Sequence, residues 1–145
     1  MNEAEINQYF SETFDHVHMQ LVEGNHFYFY DTERNFPFAT LMTNDVNDNA
    51  SDLNRPSVFR LNIGVSKASY LALFGAKMSR NESEVEQTYD FTILDQMLPH
   101  PVYGRMYWVC VLNPSEATFE TQVKPLLTEA YQMSVRKHRG RCEQE

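Results

Sequence analysis

The chain is poor in the residues that cradle phosphates. It has five glycines among 145 residues, and none sits in a glycine-rich phosphate loop. A Gly-x-Ser-x-Gly elbow and a His-Glu-x-x-His zinc helix are missing as well, which removes the usual signatures of serine-hydrolase and zincin chemistry. Cysteine is scarce. Cys110 lies in an apolar run and Cys142 in a charged tail, outside any ligating motif, an arrangement that suits a reducing compartment. No apolar run approaches the roughly 20 residues of a membrane span. Met1-Asn2-Glu3-Ala4-Glu5 has neither the basic nor the apolar part of a signal peptide. The expectation is a cytoplasmic protein with no membrane partner.

Positive charge is the last shortage. Twelve Lys and Arg face twenty Asp and Glu, for a net charge of -8. Nucleic-acid binders draw much of their affinity from cations that neutralise phosphates. The one cationic cluster here is Arg136-Lys137-His138-Arg139, with Arg141 just beyond. It falls at the end of the last helical pattern, where positive charge complements the helix's partial negative pole. Nucleic acid is therefore not the expected partner.

What the chain does have is aromatic side chains, ten Phe and eight Tyr. Its length fits a single domain over residues 1–145, large enough to bury roughly 70% of the unfolded surface without a disulfide or metal. Ile6, Tyr9, Phe10 and Phe14 recur at helical spacing over residues 2–14, with Asn2 as N-cap. A hairpin follows, 17–22 and 26–30, turning at Glu23-Gly24-Asn25. Strands are expected over 38–43, 58–65 and 107–112. Ser66 caps a helix that stops at Gly75, and Asp90 is expected to cap a short helix over 90–98. The polar stretch 76–89 is the candidate mobile segment, and the tail from about residue 140 is expected to be disordered. Phe119, Val123, Leu126, Leu127, Ala130 and Tyr131 give the final helix its apolar stripe. Pro125 must lie in that helix's first turn or break it. Strands in runs, with helices at the ends, imply an α+β fold: an antiparallel sheet of about five strands with the N- and C-terminal helices on one face.

Within that frame, Phe59-Arg60-Leu61-Asn62-Ile63-Gly64-Val65 is the most informative stretch. It alternates, so Phe59, Leu61 and Ile63 face a core while Arg60 and Asn62 face the other way. With Phe27 and Phe29 read as inward, His26, Tyr28 and Tyr30 join Arg60 and Asn62 on an open face. Tyrosines around an arginine form a patch for a partner, a second copy in a homodimer, or a small ligand.

Several segments resemble an uncharacterised bacterial family of small proteins: Phe36-Pro-Phe-Ala-Thr40, Ala50-Ser-Asp-Leu-Asn-Arg-Pro56, Val58-Phe-Arg-Leu-Asn-Ile-Gly-Val65, Leu98-Pro-His-Pro-Val-Tyr103 and Trp108-Val-Cys-Val-Leu-Asn-Pro114. That family implies no activity. More distantly, a Trp-bearing strand before a long helix with a Tyr, here Trp108 and Tyr131, is similar to the MmcQ/YjbR-like proteins. That resemblance implies a frataxin-like α+β fold and, from shape, a DNA-binding label.

Other constellations are weaker. His16, His18 and His26 fall in the hairpin, too far apart to meet on one zinc. Asp45 to Ser51 alternates oxygen ligands, but Ala50 and Pro56 occupy the places where a calcium loop needs Gly and Glu. Its Asn and Asp side chains instead suit a loop tied to its own backbone. Asp52 is placed to pair with Arg55 or Arg60, which is more easily structural than a substrate clamp. His100, between two prolines and beside Tyr103, is a titratable group on a rigid loop. The leading expectation is a non-catalytic binding module using Arg60, Asn62, Tyr28 and Tyr30, without cofactor or metal. The alternative is a small enzyme that joins His100 to Tyr103, Arg60 or Asp52.

Overall fold

The computed structural model describes residues 1–75 and 89–144. The stretch read as mobile falls, but for Tyr89, outside those residues. Helix α1 (Glu3–Thr13) starts at a capping box: the Asn2 side chain accepts from the Glu5 backbone N–H, and the Glu5 carboxylate accepts from the Asn2 N–H. Strands β1 (Val17–Val22) and β2 (Asn25–Tyr30) form a hairpin. Its turn is two residues long, Glu23 and Gly24, with φ of 52° and 83°. Positive φ at both turn residues gives the twist that a tight hairpin needs. Asn25 therefore begins β2 rather than completing the turn.

Strands β3 (Ala39–Met42) and β4 (Arg60–Gly64) follow, then helix α2 (Lys67–Phe74), capped by Ser66 and ended by Gly75 at φ 78°. After Tyr89 come β5 (Leu98–Pro99), a 3-10 turn (Gly104–Met106) and β6 (Trp108–Leu112). The last helical region is continuous: α3 (Glu116–Thr118), a π-helical turn (Phe119–Val123) and α4 (Lys124–Gln144). The wide turn ends just before Pro125, so the missing proline N–H falls at the start of α4. Helical backbone reaches Gln144, where the sequence pattern ended near His138.

The fold is α+β, with one antiparallel sheet in the order β1-β2-β3-β4-β6-β5. Six strands stand where about five were expected. The sixth is β5, and it replaces the helix expected over 90–98. There Asp90 caps a local turn, accepting from the Thr92 N–H, and Asp95 takes φ 59°, which a helix forbids. Burial explains the choice. In the turns and short strand that the segment adopts, Phe91, Met97 and Leu98 all reach apolar clusters, and Leu94 is left exposed.

On one face of the sheet, Tyr28, Ala39, Leu41, Leu61, Ile63, Val109 and Val111 join Ile6, Phe10 and Phe14 from the N-terminal helix and Phe119, Val123, Leu127 and Ala130 from the C-terminal region in one core. The Phe10 and Tyr28 rings stack at 3.7 Å. The other face carries Phe27, Thr40, Asn62, Cys110 and Leu98 in successive strands, with Met42, Arg60 and Leu112 one step along. Among the described residues, the loop between β3 and β4 and residues 89–97 pack over it.

Candidate functional site

Arg60 and Asn62 do face away from the helices, but that face is not open. Both side chains are 1% exposed. A guanidinium so buried must be paired, because removing it from water is costly. The β3–β4 loop supplies the partner. Arg60 Nη1 donates to Asp48 Oδ1 at 2.9 Å and Nη2 to Oδ2 at 2.7 Å, a bidentate fork. Nη1 also donates to Ser51 Oγ at 3.0 Å, and Nε to Asn62 Oδ1 at 2.9 Å. Asn62 Nδ2 in turn donates to Thr40 Oγ1 at 2.9 Å. Burial alone would raise the Asp48 carboxyl, but the hydrogen bonds and charge of Arg60 hold it below the usual carboxylate range. The floor of this region is thus an ion pair whose charges cancel.

The loop makes this possible by satisfying itself. Asp48 Oδ1 accepts from the Ala50 N–H, Asn44 Oδ1 from the Val46 N–H and Asp45 Oδ1 from the Leu53 N–H. Asp52, the expected partner of Arg60, is elsewhere. It lies 3.8 Å from Arg55 on the exposed side of the loop. Arg55 donates to the carbonyls of Ser51, Asp52 and Thr92, tying the two covering segments together. Asp52 and Arg55 are therefore parts of the cover, not of the site.

His100 is 3% exposed and held by four hydrogen bonds. Its N–H donates to the Trp108 carbonyl at 2.9 Å, and its carbonyl accepts from Gly104 at 3.0 Å. Its Nδ1 accepts from the N–H groups of both Val102 and Tyr103, each at 3.0 Å. Two donors on Nδ1 place the ring proton on Nε2. Burial, then the nearby Arg60 charge, push the imidazole down to about 3, with Asp48 opposing. His100 is neutral across the physiological range. Nε2 makes no hydrogen bond among the described residues.

Above these groups opens a cavity of about 670 Å³, within the range of small-molecule sites. Thr40, Asp48, Arg60, Asn62 and His100 line its polar part. Trp108, Phe27, Phe38, Pro37 and Met133 line the rest, and Lys137 and His138 reach it from α4. Its rim holds exposed apolar side chains: Phe36 at 71%, Met106 at 67%, Tyr103 at 52% and Val102 at 47%. The Trp108 indole lies against Gly64, its partner across the strands. A Cβ there would stand 3.0 Å from Cε2, so glycine is what lets the ring sit flat beside the cavity.

The two tyrosines of the expected patch are turned the other way. Tyr28 is 2% exposed, stacked on Phe10, and its hydroxyl bonds to Asn7. Burial and Glu3 raise its phenol well above the usual value. Tyr30 packs against Tyr131 and His138 and touches the cavity only from that side. The hairpin's phase is inverted relative to expectation because Phe27 and Phe29, not the tyrosines, share the face of Thr40 and Asn62. The three hairpin histidines also part. His18 bonds Arg34 at 2.8 Å, His26 is burial-depressed beneath α1, and no group of side chains among the described residues is arranged to hold a metal.

Asp48 and Trp108 are among the cavity residues that sequence reasoning missed as site members. The signal for Asp48 was an arginine on a strand destined for burial, which requires a carboxylate nearby. Spacing could not choose among Asp45, Asp48 and Asp52.

With the site in place, comparison with known proteins adds one finding. The model of a family of unknown function, DUF6194, matches residues 1–143. The chain belongs to that family. The match covers nearly every residue, as the ordered series of motifs from Phe36 to Pro114 implied. No curated protein and no solved structure matches. What this DUF6194 member does must therefore be argued from its own cavity. No helix among the described residues is long and apolar enough to cross a membrane.

Proposed function

We propose that this protein is a non-catalytic cytoplasmic binding module that takes a small organic ligand into the cavity between the β3–β4 loop, the 100–108 segment and α4. The observation that carries the reading is the pairing of a buried polar floor with an exposed apolar rim around one concave space. Small-ligand sites combine an apolar lining with a few convergent polar groups in this way. Single exposed apolar residues need no explanation, but Phe36, Val102, Tyr103 and Met106 gathered around one opening do. The enzyme alternative is less well supported. A general base needs a free acceptor near neutral pH, and the His100 Nδ1 is already occupied by two backbone donors. The homodimer version loses the face it needed, since Arg60 and Asn62 are covered.

A thermal-shift screen against a metabolite panel tests the proposal. A ligand at one hundred times its dissociation constant stabilises by about 2.7 kcal/mol. Trp108, the single tryptophan, reports occupancy through its fluorescence. Phe36→Asp at the rim should weaken binding while leaving the melting temperature of the free protein in place. A panel of several hundred compounds in which none raises the melting temperature would overturn the reading.

A further inference from the structure

The donors and acceptors of the cavity floor do not balance. Every acceptor on it has a partner: Asp48 takes both Arg60 nitrogens and the Ala50 N–H, Asn62 Oδ1 takes Arg60 Nε, and Thr40 Oγ1 takes Asn62 Nδ2. Donors are left over. A guanidinium has five N–H hydrogens, and four are used here, to Asn62, to Asp48 twice and to Ser51. One on Nη2 remains. An amide has two donors, and one of Asn62's is used. The Thr40 hydroxyl hydrogen and His100 Nε2–H make no hydrogen bond among the described residues. All four residues line the same cavity, and His100 is 3% exposed.

These donors are not among the sealed, partnerless atoms of the described residues; they belong to the cavity wall, so a ligand that displaces water from them must supply the acceptor itself or leave them unmet at a cost in free energy. The charge of the floor sets the acceptor's type. Asp48 cancels Arg60 in a bidentate pair, and His100 is neutral. A carboxylate or phosphate seated on this floor would lose its hydration, meet the Asp48 carboxylate, and find the one floor cation already forked to that carboxylate; the cation that lines the cavity outside the floor, Lys137, stands on α4. An uncharged carbonyl oxygen carries no such cost and accepts from two donors. Resting on the ligand-binding reading above, we infer that the cavity selects an uncharged ligand with an apolar or aromatic body and a carbonyl oxygen seated between His100 Nε2 and the Thr40–Asn62–Arg60 row. The ligand class is thus the ketones, esters and amides, with the aromatic part against Trp108.

The test uses matched trios on naphthalene, biphenyl and indole bodies: the methyl ketone, the ethyl analogue without oxygen, and the carboxylate. Binding is measured by calorimetry, and the imidazole Nε2–H is followed by ¹H–¹⁵N NMR. The ketone should bind about tenfold more tightly than either relative, as one or two buried hydrogen bonds allow, and should move the Nε2–H resonance. His100→Asn keeps an acceptor where Nδ1 stands for the Val102 and Tyr103 N–H groups, and its amide nitrogen falls short of the Nε2 position. That variant should melt near the wild-type temperature at pH 7 and lose most of the ketone preference. Thr40→Val, which keeps the side chain's shape, should reduce the preference independently. If the bodies bind without ranking, or the carboxylate ranks first, the inference is overturned while the cavity reading stands. If no trio binds while the metabolite panel yields a ligand, the inference falls and the cavity reading stands; if the panel is empty as well, both fall.

Discussion

On the helix side of β4, Leu61 and Ile63 are buried among side chains that need only contact. On the other side, Arg60 and Asn62 are buried as deeply, and each polar atom needs a partner. The first face is sealed by helices whose stripes are apolar. The second is sealed by loops, which bring carboxylates, amides and backbone amides with them. Loops satisfy polar groups but do not fill space as packed helices do, and the cavity opens where the loops over the polar residues meet the flank of α4. The lesson is that one strand can serve both stability and recognition, because its alternation sends the two tasks to opposite faces.

The contrast breaks most visibly at Asp48. Asp48→Ala strands a buried guanidinium and should cost about 3–5 kcal/mol in urea unfolding, as much as Leu61→Ala, which leaves a cavity costing about 2–5 kcal/mol. The faces differ in how they are repaired. Replacing both partners, Arg60→Met with Asp48→Leu, should recover most of the Asp48 loss, whereas nothing but a side chain of the right volume repairs Leu61. A loss below about 1 kcal/mol for Asp48→Ala would mean that the polar face is not a sealed interior.

Gly64→Ala comes next. Its Cβ would stand 3.0 to 3.3 Å from three atoms of the Trp108 ring, and overpacking of that kind costs about 1–3 kcal/mol. The indole should tilt into the cavity, shifting its emission and weakening any ligand. Unchanged Trp108 fluorescence would show that the ring has room to spare.

The smallest effect sharpens the comparison by pH. The His100 imidazole lies at about 3 in the folded protein against an ordinary 6.5. Between those values the unfolded chain takes up a proton that the folded chain refuses. Its contribution is fully present above 6.5 and is lost as pH falls toward 3. Arg60 disfavours the proton and Asp48 favours it. From pH 7 to pH 5.5 the unfolding free energy should fall by about 1 kcal/mol, and His100→Asn should flatten that slope. An equal slope in both proteins would assign it to other groups.

Much of this fold was legible. Asn2 with Glu5, Ser66 with Gly75, and the stripe from Phe119 to Tyr131 are local signals, and local signals set helices. The phase of β2 was not, because His26-Phe27-Tyr28-Phe29-Tyr30 is aromatic on both faces. Only the stacking of Tyr28 on Phe10 and the match of Phe27 to Thr40 decide it. The segment 90–98 failed for the opposite reason: its helical spacing is real, but burial of Phe91 and Leu98 against Cys110 outweighs it. At the site, Arg60, Asn62 and His100 were readable from alternation and from the two prolines. The Asp48 pairing was not, since it depends on how a loop folds back.

The two edges of the sheet are unlike. β5 is two residues long and ends in Pro99, which has no amide hydrogen to offer. β1 is six residues long and leaves Met19, Leu21 and Val22 in water. Among the described residues, β1 is the edge long enough for another chain to add a strand. Two copies joined β1 to β1 would leave a short, proline-blocked strand at each end, so the joining would stop at a pair and could not run on into a fibre.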